Sequence, residues 1–264
     1  VYKQNKESTS ISSALRITFA QLKFPSAEEL DAAKASGPAR FAIKISARGK
    51  YSVLYAQNQE EFDLWKIHLS RAMMRVDFHA AYQVNKMIGQ GGFASVYEAS
   101  LKSDPEKKFA VKGFNKATVQ SQPREKQSLW NEITILRQLD HPNLLRLHEV
   151  HETENSIYIV FDLISGGELT QLLDPKCPVP ESDLLAIFFG LARGLAHLAD
   201  KGIVHRDLKP ANILLKKKTG LSPDDVVVVD FGLATYADAT EHIFKRCGTP
   251  GYIAPEIISS ANPE

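Results

Sequence analysis

The stretch VHRDLKPANILL, residues 204–215, decides how the chain is read. It sets His205, Arg206, Asp207, Lys209 and Asn212 within eight residues, directly after an apolar run of helical spacing. Pro210 argues against a helix there, and Ile213 to Leu215 open a strand, so the polar groups are expected at a rigid strand edge. Downstream, VVVVDFGLA (226–234) places Asp230 straight after a buried-looking strand of four valines, with Gly232 free to let the chain turn sharply. A carboxylate so placed is a natural magnesium ligand, a hard oxygen for a hard cation. RCGTPGYIAPE (246–256) then adds Thr249, Pro250 and Glu256.

Upstream, AYQVNKMIGQGG alternates as a strand, and IGQGGFASV (88–96) supplies Gly89, Gly91 and Gly92, which let main-chain N–H groups approach phosphate oxygens. A dinucleotide fingerprint looks similar but requires strand, tight turn and helix, whereas Val96 and Tyr97 continue as a strand. FAVK ends an apolar strand on Lys112, which taken singly reads as a solvated strand end. Glu132 lies on a helix expected over about 127–139, beside Leu129, Ile133 and Leu136; taken singly it reads as a surface glutamate. A second helix is expected over about 182–198, apolar at Leu184, Ile187, Phe188, Leu191, Leu195 and Leu198. KKKTGLSPDD (216–225) reads as a solvated turn rather than a functional basic patch.

In order and spacing, these segments from about Tyr82 to Glu264 resemble the eukaryotic serine/threonine protein kinases, with HPNLLRLHEV, FDLISGGEL and CGTPGYIAPE similar to calmodulin-dependent-kinase-like members. The resemblance implies an α+β, two-lobed fold: an antiparallel β N-lobe and a mainly helical, incomplete C-lobe. It implies ATP and Mg²⁺ as cofactors and a protein as substrate. Gly89, Gln90, Gly91 and Gly92 would cover the phosphates, and Lys112, held by Glu132, would grip them. Ile88, Val96, Ala110 and Leu214 would sandwich adenine, with Phe161 as gatekeeper, Asp162 and Ile164 offering main-chain groups and Glu168 near the ribose. Asp207 would take the substrate hydroxyl's proton, Lys209 would neutralise the moving phosphoryl group, and Asn212 and Asp230 would hold the metal. Leu136, Leu147, His205 and Phe231 look like the family's stacked apolar spine. A pseudokinase scaffold that binds nucleotide without transfer is the alternative, disfavoured because Lys112, Asp207, Asn212 and Asp230 are all present.

This chain departs from the pattern in places. Ala94 replaces the third loop glycine, and Ala211 stands where many basic-directed relatives have glutamate. Lys245 occupies the usual phosphoacceptor place two before Cys247, leaving Thr235 and Thr240 as candidate sites and loop-phosphorylation control in question. The family has further helices after Glu256, so a chain ending at Glu264 is expected to be truncated, to expose apolar surface and to phosphorylate poorly.

The N-terminal part reads separately, with a join near Asp77 to Ala80 and domains of 1–78 and 79–264, the latter dividing into lobes at about 164/165. FAIKIS (41–46) and YSVLYA (51–56) alternate around an ARGK turn containing Gly49, a hairpin pattern. Asn58 and Glu61 form a capping box for a helix on which Phe62, Trp65, Leu69 and Met73 recur at helical spacing. SALRITFAQLKF (13–24) offers another strand, and PSAEELDAAKASGPAR (25–40) a polar loop. The hairpin and tryptophan-bearing helix resemble the C-terminal half of a pleckstrin-homology domain, which implies a phosphoinositide membrane or a protein as partner. A small ββα interaction module is the alternative.

Composition excludes more than it assigns. With 44% apolar and 24% charged residues and a formal net charge of +1, nothing points to nucleic acid. Two cysteines, Cys177 and Cys247, are too few for a disulfide framework and read as free thiols of a reducing compartment. No run approaches the roughly 18 to 20 apolar residues that span a bilayer, and no signal pattern opens the chain, so the expected location is cytoplasmic, with membrane recruitment left to the N-terminal part.

Overall fold

In a computed structural model, residues 2–4, 11–14, 20–24, 41–47, 50–173 and 178–259 are described. Gly49, Cys177 and the loop expected at 25–40 lie outside them, as does the middle of the strand expected at 13–24. The chain forms two compact units, Val1–Lys116 with His148–Val160, and Ala117–Leu147 with Phe161–Glu264.

The first unit is built on alternation. Its strands are β1 (Tyr2–Gln4), β2 (Ile11–Ala14), β3 (Gln21–Lys23), β4 (Ala42–Ala47), β5 (Lys50–Tyr55), β6 (Met74–Arg75), β7 (Tyr82–Gln90), β8 (Ala94–Leu101), β9 (Asp104–Asn115), β10 (Leu147–Glu152) and β11 (Ser156–Asp162). The pair β1–β2 stands alone, and the other nine strands form one sheet in the order β5-β4-β3-β6-β10-β11-β9-β8-β7.

Helix α1 (Gln59–Ala72) starts as its sequence dictates: the Asn58 side chain accepts from the Glu61 N–H at 2.8 Å. The Glu61 carboxylate reaches back to the Gln57 N–H, one residue short of a strict box. Ile43 and Ile45, two apart on β4, pack with Leu22, Leu69 and Met73 into a core bordered by Phe62 and Trp65. Fully burying each such side chain is worth about 1.5–3 kcal/mol.

Beyond β6, α2 (Phe78–Ala81) delivers Phe78 into a second core with Tyr82, Ala99, Phe109, Val111 and Val160. The Phe78 ring stacks on Tyr158 with centroids 3.9 Å apart. Phe109 and Val111 point into this core, so period two turns Ala110 and Lys112 to the opposite face.

The second unit contains α3 (Lys116–Ser121), α4 (Pro123–Leu136), β12 (Gly167–Glu168), α5 (Leu169–Leu172), α6 (Glu181–Asp200), β13 (Ile203–Val204), β14 (Ile213–Leu215), β15 (Val226–Val228), β16 (Thr235–Tyr236) and α7 (Pro255–Ser259). Helix α4 begins earlier than its apolar stripe suggests, because Pro123 is tolerated at a first helical position. The buried face of α6 is Asp183, Ala186, Ile187, Gly190, Gly194 and Leu198, which corrects the expected stripe: Phe188 is 66% exposed. Glycine is the reason. A Cβ on Gly190 would collide with the Pro223 carbonyl and come within 2.8 Å of Val226, so the helix lies closest where it has no side chain.

By length and mean hydropathy (1.3) α6 is long and apolar enough to cross a membrane, although its sequence contains no unbroken apolar run of that length. Ala186 and Ile187 pack with Ile213, Leu215 and Val226, while Leu185, Phe188 and Phe189 stay exposed, so burial covers only part of that apolar surface. Asp183 stays buried by accepting from the Gly220 and Leu221 N–H groups at 3.2 and 2.9 Å. Lys217 pairs with Asp225 at 3.0 Å within the exposed turn after β14.

Candidate active site

The segment between β13 and β14 is fixed from within. His205 is buried; its Nδ1 accepts from the Asp207 N–H at 3.2 Å, which puts the proton on Nε2, donated to the Val229 carbonyl at 2.9 Å. Burial lowers the His205 pKa, outweighing the Val229 bond and the Asp230 and Asp207 charges, in keeping with a neutral ring. Arg206 adopts φ 66°, a left-handed turn that aims the chain back. Pro210 does not exclude helix: it opens a single 3₁₀ turn, Pro210–Asn212, since the first position needs no N–H.

That turn brings Asp207, Lys209 and Asn212 together with Thr249. The Asp207 carboxylate, 8% exposed as a residue, accepts from Lys209 Nζ at 2.9 Å, Asn212 Nδ2 at 3.0 Å and Thr249 Oγ1 at 2.7 Å. Lys209 also donates to Thr249 at 2.6 Å, closing a triangle, and Asn212 Nδ2 donates again to the Asp207 carbonyl at 2.8 Å. Burial pushes the Asp207 pKa up, but the Thr249 and Lys209 hydrogen bonds, the Lys209 charge and Asn212 outweigh it and hold the carboxyl below its ordinary range.

Asp230 is exposed and itself carries the sharp turn at φ 62°, while Gly232 has no positive φ; the turn expected of the glycine belongs to the aspartate. A Cβ on Gly232 would lie 3.4 Å from Asp230 Oδ1 and 3.9 Å from Glu132 Oε2, so both carboxylates converge there. Glu132 is 4% exposed, not a surface residue. Its neighbours on α4 complete the arrangement: Ser128 donates to the Gly232 carbonyl at 3.0 Å and Asn131 to the Ala234 carbonyl at 2.7 Å. Sequence reasoning passed over both, although Ser128, Asn131 and Glu132 share one helix face. Arg206 donates to the Leu233 and Phe244 carbonyls, each at 2.7 Å, next to the exposed Lys245.

Of the residues expected around adenine, Phe161 is buried, Asp162 and Ile164 are half-buried, and Glu168 lies directly opposite Leu214 across β12 and β14. The Glu168 carboxylate accepts from Thr170 at 2.8 Å. A cavity of about 250 Å³ in this unit is bordered by Asp140, His141, Leu144, Asp162, Ile164 and Lys216, and none of the Asp207 group lines it.

The first unit holds the remaining candidates. Gly89, Val96 and Lys112 are direct cross-strand neighbours on β7, β8 and β9, and Ala110 lies two residues from Lys112 on the same face. Lys112 Nζ sits 5.5 Å from the Phe114 ring centroid. Ile88 and Gln90 are exposed. A Cβ on Gly92 would meet nothing within 4 Å and one on Gly91 only the Ala94 carbonyl at 3.5 Å, so no contact within the chain calls for glycine there.

The donor set beside Asp207 suits magnesium. Asn212 spends its amide nitrogen on Asp207, which leaves its oxygen as the side chain's remaining polar atom, and Asp230 adds an exposed carboxylate. One or two hard oxygens completed by substrate phosphates is how Mg²⁺ is usually held.

Residues 82–264 match the protein kinase domain family. The chain is 36% identical to the mouse serine/threonine-protein kinase DCLK3 over 190 residues, 72% of this chain and 23% of that protein. It is 35% identical to calcium/calmodulin-dependent protein kinase type 1 of Macrobrachium nipponense over 181 residues, 67% of this chain and 50% of the relative. The chain thus spans 23% to 50% of the length of these relatives.

Proposed function

The chain belongs to the protein kinase family, and from that membership we propose that it is a serine/threonine kinase moving the γ-phosphoryl group of ATP to hydroxyls of protein substrates. The observation that carries the reading is the closed set of hydrogen bonds joining Asp207, Lys209, Asn212 and Thr249. Asp207, kept ionised, orients the incoming hydroxyl and accepts its proton as the new O–P bond forms and the bond to the leaving diphosphate breaks. Lys209 faces the charge spreading over the phosphoryl oxygens, and preorganised charges of this kind supply most of the acceleration in such a loose transition state. Asn212 and Asp230 would hold Mg²⁺, which when bound draws charge from the phosphate oxygens. Within the first unit, Lys112 and the Gly89–Gly92 turn would hold the phosphates, and Ile88, Val96 and Ala110 the adenine.

Arg206 bonded to two neutral carbonyls supports an activation segment that needs no phosphate at position 245. The β4–β5 hairpin feeding a helix that seats Trp65 supports a pleckstrin-homology-like N-terminal module in a cytoplasmic protein, with a phosphoinositide membrane or a protein as partner. Sedimentation with phosphoinositide vesicles separates the two.

Replacing Asp207 with alanine tests the central reading. Phosphotransfer to a serine or threonine peptide should fall at least about 100-fold with ATP binding retained. Undiminished transfer would remove Asp207 from the role of base, and ATP binding by a wild-type protein inert toward every peptide would select the scaffold reading.

A further inference from the structure

In the nine-stranded sheet the outer neighbour of β10 is β6, a strand of only two residues, paired in parallel with Met74 opposite Val150 and Arg75 opposite His151. The other edge of β6 pairs with β3, Gln21 opposite Met74 and Leu22 opposite Arg75, and β3 leads on to the β4–β5 hairpin. Among the described residues, this short strand is what continues the N-terminal strands into the kinase-type sheet. Its few main-chain hydrogen bonds, each worth about 0.5–1.5 kcal/mol net, are a weak hold for a whole module.

The side chains supply the rest. Arg75 is 7% exposed; Nε donates to Asp77 Oδ1 at 2.9 Å, one terminal nitrogen pairs with Asp77 Oδ2, and the other meets Glu149 Oε1 at 2.6 Å. Glu149 Oε2 accepts from Tyr82 at 2.9 Å and lies 2.9 Å from His151 Nε2. Burial pushes the Glu149 pKa up, yet the His151 bond, the Arg75 charge and Tyr82 hold it at about 2. Phe78 and Tyr82 close the group edge-on to the fully buried His151.

A guanidinium buried this deeply is tolerated only with its carboxylates in place, so Arg75 and Glu149 select the seated strand over a detached one. The cation comes from the module side, and Glu149, His151 and Tyr82 come from β10 and β7. Such complementarity fixes register and partner more than it adds raw stability.

We propose that the outer edge of β10 is a strand-addition surface whose occupant is this chain's own N-terminal module, with Arg75 as the key that makes module and kinase-type sheet one cooperative body. A ligand engaging the module then acts on the sheet that carries Gly89, Val96 and Lys112. The proposal stands apart from the kinase reading, since no catalytic residue enters it.

Amide hydrogen exchange and thermal unfolding of the whole protein test it. In the wild type, the amides of β6 and β10 should be protected together with β8, and unfolding of the first unit should be a single transition. Arg75→Gln should cut protection at Met74, Arg75, Val150 and His151 by roughly 100-fold, leave β8 and β9 protected, and let the β4–β5 hairpin and α1 melt in a separate, earlier transition. Should that variant fail to fold, Glu149→Gln, which removes the charge but keeps an acceptor, is read the same way. Protection unchanged in the variant, or lost equally across β8 and β9 in one transition, would overturn the proposal.

Discussion

Thr249 offers the sharpest test of how the site sets its base. Its hydroxyl donates to Asp207 Oδ1 at 2.7 Å and accepts from Lys209 at 2.6 Å. Thr249→Val keeps the shape and removes both bonds. A hydrogen bond to a charged group is worth about 1.5–3 kcal/mol net. Asp207 keeps Lys209 and Asn212, and Lys209 is partly exposed, so water replaces some of what is lost and the low end applies.

About 1.5 kcal/mol of stabilisation withdrawn from the carboxylate corresponds to a rise of roughly one pKa unit. The acid limb of the kcat/KM profile should therefore move up by about one pH unit, and kcat at neutral pH should fall about 10-fold through Lys209 losing its anchor. Thr249→Ser should restore both. The assay is steady-state transfer to a peptide from about pH 3 to about pH 8, a range that spans the acid limb of a depressed carboxylate before and after the shift, alongside nucleotide affinity, which should change little. A Thr249→Val protein with a wild-type acid limb and kcat would show that the triangle is only structural and that Asp207 is tuned by Lys209 alone.

Two further outcomes follow from buried polar groups in the second unit. Asn143, fully buried, donates to the Pro223 and Val226 carbonyls at 2.5 and 2.8 Å; Asn143→Ala strands both and should cost about 2–5 kcal/mol, read as a lower urea midpoint at unchanged m-value. The histidines predict the response to acid. Burial lowers the pKa of His205, and burial with the nearby His197 and Arg193 charges lowers that of His141. The unfolded chain then binds the extra protons first, so this contribution to stability is complete above about pH 6.5 and is lost as pH falls from there toward the folded values. Asp207, depressed by its donors, adds a contribution lost only below about pH 4. Urea unfolding at pH 8, 6.5 and 5.5 should show a declining free energy, and a rise toward pH 5.5 would contradict the assignment.

Local rules were legible in the sequence wherever one element decides its own conformation. Asn58 caps α1 because a short oxygen acceptor precedes a free N–H, and Ile43 and Ile45 face one way because a strand has period two. The stripe on α6 misled because hydrophobicity marks what benefits from burial, while close approach selects what is small. Gly190 and Gly194 occupy the contact and Phe188 is turned out, a choice made by Asn143, Val226 and the Pro223 carbonyl, none of them near α6 in sequence.

The candidate site divides along the same line. Asp207, Lys209 and Asn212 fall within six residues, so one 3₁₀ turn gathers them and the motif alone is enough. Thr249 arrives from about forty residues away, and Ser128 and Asn131 from about a hundred residues before the carbonyls they hold. Those bonds depend on how elements pack, which spacing does not encode. The Arg75 network is the extreme case: Arg75 and Glu149 are 74 residues apart, on strands whose pairing no alternation predicts. In a list of residues, a lone arginine after a helix and a glutamate in a strand are each unremarkable surface charges. Only the parallel pairing of β6 with β10 buries them against each other, and once buried neither can be removed without leaving the other's charge uncompensated. The strand pairing and the ion pair thus require one another, which is why the boundary between the two sequence patterns near Asp77 is, in the fold, one of the most tightly bonded places in the first unit.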